Sequence, residues 1–146
     1  MSIAGVLGRF AAAYVVFMVL AVVVLRLLDI NSSSGVNIAV LIGSVMWSCM
    51  AFGTKNQRYF TAQEKSTVVW SMIGINLLIQ VLLGGAALAS AGKLGLGAFV
   101  FALLFVGVLH SLAIAYFVGA AGKNVAKQLQ KQAAATELRA PPNPPT

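Results

Sequence analysis

Acidic residues are nearly missing from this chain: Asp29, Glu64 and Glu137 are the only three, against ten lysines and arginines. None lies mid-way along an apolar run, so the buried carboxylate that proton-coupled carriers generally use has no candidate. Histidine and cysteine occur once each, as His110 and Cys49. Such a set cannot build a metal cluster or a hydrolytic pair, and one cysteine excludes an internal disulfide and a CxxC motif. A haem on His110 would need a second axial ligand, so no cofactor is expected and the histidine reads as a hydrogen-bonded packing residue. Charged residues make up 9% of the chain, where a soluble domain carries about 25%. The net charge of +7 does not point to nucleic acid, because the bases form no dense patch with interleaved aromatics. Enzymes lose their usual equipment here, and water-soluble folds lose their surface.

What remains is apolar: 60% of the 146 residues are hydrophobic, with a mean hydropathy of +0.91. A membrane-crossing helix needs about 20 mostly apolar residues. Four such stretches occur, over about 10–28, 36–52, 67–89 and 95–119. The first has a 16-residue apolar core (10–25) and no convincing small-x-small cleavage site, so it reads as a retained helix rather than a signal peptide. The fold class expected is therefore all-α: an antiparallel bundle of four transmembrane helices over 1–122. A basic helical extension and a proline-rich cytoplasmic tail, "APPNPPT", occupy 123–146.

The ten bases are unevenly placed. Eight (Arg9, Lys55, Arg58, Lys65, Lys123, Lys127, Lys131 and Arg139) flank the amino end, the middle loop and the tail, and only Arg26 and Lys93 flank the other two loops. Lysine and arginine near span ends are retained in the cytoplasm, which places both termini there and makes Lys55, Arg58, Lys65, Lys123, Lys127 and Lys131 topology anchors. The middle loop also holds Thr61-Ala62-Gln63-Glu64, the T-x-x-E pattern of a capping box, so helix three should begin at Ala62. Tyr14, Tyr59, Phe60, Trp70 and Tyr116 lie near the inner ends of their spans, where amphipathic rings favour the interface. Lys123, Lys127 and Lys131 recur every four residues and share one face of a continued fourth helix, against lipid headgroups or a partner. Asn31-Ser32-Ser33 matches a glycosylation sequon of low specificity.

Polar groups inside the spans are the candidate intramembrane contact. Asn76 and Gln80 are four apart, so they share a face of helix three. Counted from the inner ends near Thr67 and Gly119, Asn76 and His110 both lie about nine residues, or roughly 14 Å, deep. Ser44 and Ser48 mark a matching face on helix two. Such groups join helices, bind a partner's helix or line a solute path. Small residues every four (Ala4, Gly8 and Ala12; Ala39 and Gly43; Gly107, Ser111, Ala115 and Gly119) allow close helix approach.

With four spans, both ends inside and a charged middle loop carrying an aromatic-x-x-x-Glu element (Phe60 and Glu64), the chain resembles small bacterial inner-membrane proteins of uncharacterised families. In plan it is similar to the four-helix immunity proteins that protect cells from membrane-acting toxins. The resemblance covers about 10–119 and carries over no functional residue. It implies a binding protein in the inner membrane whose partners are the lipid bilayer and another membrane protein or a membrane-acting toxin, with homo-oligomers as a further possibility. The competing expectation is an oligomeric transporter or channel without a buried carboxylate.

Overall fold

In the computed structural model, the described residues are 1–29, 34–91 and 96–139. The sequon, Lys93 and the proline-rich end lie outside them. Four helices follow one another: α1 (Ile3–Leu27), α2 (Ser34–Asn56), α3 (Ala62–Ala91) and α4 (Leu96–Arg139). Each is long and apolar enough to cross a membrane.

Local chemistry sets the helix ends. The Gly5 N–H donates to Ser2 Oγ (3.2 Å), an N-cap that starts α1 about two turns before the apolar run begins. Asp29 and Gln57, both with φ of 52°, turn the chain left-handed just past α1 and α2. At the start of α3 the Glu64 N–H donates to Thr61 Oγ1 (3.3 Å), and the Thr61 N–H donates to Glu64 Oε2 (2.9 Å). Two otherwise orphaned backbone donors are thereby satisfied reciprocally.

Around the bundle α1 packs on α2, α2 on α4, α4 on α3, and α3 more lightly on α1. The backbones of the consecutive pair α2 and α3 do not approach each other among the described residues. The short connection between α2 and α3 thus joins helices on opposite corners of the bundle. Helix axes pack 8–10 Å apart, so the diagonal of such a ring is about 13 Å. Six Cα steps from Asn56 to Ala62 reach about 20 Å, enough to cross it.

The crossing segment is itself part of the core. Phe60 is buried and packs on Phe52 as a tilted pair with ring centroids 4.2 Å apart, while Tyr59 donates its hydroxyl to the Val118 carbonyl on α4. Tyr14, expected at the interface, is 1% exposed; Trp70 and Tyr116 do face outward. Two glycines permit this close packing. A Cβ on Gly53 would stand 2.4 Å from Val125, and one on Gly122 would stand 2.6 Å from the Tyr59 ring. Not every small-residue face is used: Ala4, Gly8 and Ala12 are exposed, so that stripe makes no contact inside the molecule.

Buried side chains recur every four residues: Val6, Phe10 and Tyr14 on α1, Val68, Met72 and Asn76 on α3, and His110, Ile114 and Val118 on α4. Helix α4 has 44 residues. At 1.5 Å per residue it measures about 66 Å, more than twice a bilayer's hydrocarbon thickness. It runs unbroken through Lys123, Lys127 and Lys131, all exposed.

Candidate functional site

Asn76 and Gln80 lie one turn apart on α3 and face His110 on α4. Gln80 Nε2 stands 2.6 Å from His110 Nδ1, and Asn76 Nδ2 stands 3.5 Å from the same atom. Both amides meet the ring at this one nitrogen; Gln80 holds it, and Asn76 is left at the limit of bonding distance. Asn76 is 0% exposed and His110 2%, and Asn76 Oδ1 is a buried atom without a hydrogen-bond partner among the described residues. Across the bundle the Tyr14 hydroxyl donates to Asn37 Oδ1 (3.1 Å), which ties α1 to α2 at a similar level.

Tyr14, Asn37, Gln80 and His110, but not Asn76, line two adjoining cavities that share Met18, Asn37, Leu83 and Val106. The larger, of about 620 Å³, is lined by Asn37 and His110 with apolar side chains such as Val22, Leu25 and Phe105. The smaller, of about 310 Å³, includes Tyr14, Asn37 and Gln80. Among the described residues no charged side chain lines either.

Ser44 and Ser48 are buried but do not join this cluster. Their hydroxyls donate to Val40 O and Ser44 O, both at 2.8 Å, inside α2, whose backbone does not approach that of α3. A serine in a helix can satisfy itself on the carbonyl four residues back, and these two do so. The sequence reading missed Asn37 and misplaced Tyr14. A lone amide early in the second apolar run was the available signal.

At the other end of the bundle lie Lys55, Arg58, Lys65 and the Thr61–Glu64 cap, all exposed except the half-buried Glu64. Arg58 forks onto both Glu64 oxygens (2.7 and 2.9 Å), and that hydrogen bonding raises its guanidinium above the ordinary value. Its guanidinium also sits 5.4 Å from the centroid of the Phe52 ring. This corner clamps the crossing segment to the start of α3 and presents nothing reactive.

A second feature runs along the outer face of α3 and α4. Gly107, Ser111 and Ala115 line a groove of about 690 Å³ walled by side chains such as Val69, Trp70, Leu104 and Leu112. From Val69 to Val81 it spans about 18 Å of helix. Ser111 donates to Gly107 O (2.7 Å), so its hydroxyl asks nothing of an occupant.

The chain matches no protein-family model, no curated protein and no solved structure. Among the described residues no three His, Cys, Asp or Glu side chains gather as metal ligands. Among the described residues the arrangement gathers three amides, one imidazole and one phenol.

Proposed function

We propose that this is a four-pass protein of the bacterial inner membrane that acts by binding another membrane-embedded protein, as an immunity protein against a membrane-acting toxin or as a small accessory subunit. Its termini, the crossing segment and the α4 extension lie in the cytoplasm. That orientation rests on the eight-to-two distribution of bases. The observation that carries the binding role is the α3–α4 groove. Lipid gives helices no hydrophobic reason to associate, so small-residue faces that admit a second backbone are where they pack. This groove is apolar, self-satisfied and about two-thirds of a bilayer core in length.

Ser111→Leu and Ala115→Leu fill the groove while leaving the buried side of α4 intact. The expected result is loss of the co-purifying partner, or of protection, with unchanged thermal unfolding. A cysteine replacing Lys127, in a Cys49→Ala background, should react with an impermeant reagent only after the cells are opened. A transporter reading draws on the polar cavity, but the aromatic packing around Phe10, Phe52 and Phe60 seals the opposite end. Saturable solute flux through the purified protein in liposomes would favour that reading and overturn the binding role.

A further inference from the structure

The bases at the crossing-segment end of the bundle have almost no acid to answer them. Glu64 is the nearest carboxylate, and Arg58 holds both its oxygens in the only ion pair among the described residues. Glu137 lies about 21 Å beyond Lys123 along α4. Two of the remaining bases, Lys65 on α3 and Lys123 on α4, are brought together by the fold. The Lys65 ammonium lies against α4 at Gly119, where an added Cβ would stand 3.5 Å from Nζ. Lys123 follows one turn later on the same face, about 6 Å along. Its Cα–Cβ bond tilts back toward Gly119, because side chains on a helix lean toward the N-terminus. Two exposed cations therefore flank one glycine with no carboxylate between them. On the membrane side of this point both helices present apolar surface: Trp70, Leu112 and Tyr116 are 71%, 64% and 70% exposed. Tyr116 precedes Lys123 by two turns on one face of α4.

We infer that Lys65 and Lys123 bind the phosphate of an anionic phospholipid where α3 and α4 leave the hydrocarbon. The phosphate lies between the two ammonium groups and accepts charge-assisted hydrogen bonds from both. Its acyl chains run down the flank of α4 past Tyr116 and Leu112. A soluble phosphate offers the same headgroup chemistry but gains nothing from those exposed apolar side chains. Lys131 stands about 12 Å farther along α4 than Lys123, out of reach of the same phosphate. Each lysine beside an anionic membrane surface strengthens attachment about fivefold, so two acting on one phosphate should favour it tenfold or more. The site lies past the end of the α3–α4 groove and needs no partner bound there, so its failure would leave the proposed binding role standing.

Trp70, five residues from Lys65, is a built-in reporter. The chain has two tryptophans, so Trp47→Phe leaves it alone in the full-length protein. In phosphatidylcholine nanodiscs, phosphatidylglycerol brominated near the top of its chains should quench Trp70 saturably at low mole fraction. Its preference over brominated phosphatidylcholine should be at least tenfold. Lys65→Gln with Lys123→Gln should remove most of that preference. Lys55→Gln with Lys131→Gln removes the same charge from exposed positions and should leave it nearly intact. Absence of preference without any lysine change, or equal loss in the two pairs of variants, would overturn the site, the second outcome meaning a diffuse surface charge. Release of the brominated lipid by soluble glycerol phosphate would also overturn it and make the ligand a soluble phosphate.

Discussion

Helix α1 buries Val6, Phe10 and Tyr14 in its first half and no described residue in its second. At the first end four helices, a crossing segment and two glycine contacts interlock; at the other, Val19, Leu20 and Leu27 are 58%, 54% and 79% exposed and the bundle encloses cavities. The open half of α1 (16–27) is the more apolar of the two in sequence, so hydrophobicity does not explain the difference. Side-chain size and backbone approach do. Where glycine meets valine or tyrosine the helices close, and where branched residues face one another with a ring of amides between them they stand apart. In lipid an outward-facing valine costs nothing, so a gap persists that water would have collapsed.

Truncation should divide the two halves most sharply. Phe10→Ala removes a fully buried ring from the interlocked end and should lower stability by about 3–5 kcal/mol. Val22→Ala in the cavity wall should change it by less than about 0.5 kcal/mol. Unfolding by steric trapping in bicelles measures both, and equal losses would erase the contrast. Next in size is Gly53→Ala. The added methyl meets Val125 with no room to give, so overpacking should cost about 1–3 kcal/mol. Val125→Ala introduced with it should restore part of the loss if the clash is the cause. Smaller than the glycine effect is that of the polar cluster. A double-mutant cycle of Asn76→Ala and His110→Ala should show coupling of about 0.6 kcal/mol, the mean for hydrogen bonds between membrane helices. Zero coupling would mean that the amide and the ring merely stand side by side.

The number of helices was readable because apolar runs of membrane length have no soluble counterpart. The start of α3 was readable because Thr61 and Glu64 are close in sequence and their chemistry is local. Counting depth along two antiparallel runs also brought Asn76 level with His110, and the structure sets them 3.5 Å apart. The packing order was not readable. It follows from the steric match of Gly53 with Val125, 72 positions along the chain, and from Phe60 folding inward, neither of which has a periodic signature. Ser44 and Ser48 misled because burial and polarity are visible in a sequence, whereas the choice of the carbonyl four residues back is not. Tyr14 misled because a phenol suits a headgroup and a buried amide equally well, and Asn37 decided between them.

The diagonal placement of α2 and α3 also bears on how the molecule is made. As the chain leaves the ribosome, α1 and α2 can pair at once as a hairpin, but α3 arrives with no seat beside α2 and only a slight one on α1. Its main partner, and the second partner of α2, is α4, which is synthesised after it. Until α4 enters, Asn76 and Gln80 sit in the bilayer without His110, Tyr59 has no Val118 carbonyl, and Gly53 faces an empty gap. Assembly is therefore held open until α4 is made and completed by that one segment, as a keystone completes an arch. Nascent chains that stop short of α4 expose unsatisfied amides of the kind that membrane quality control removes.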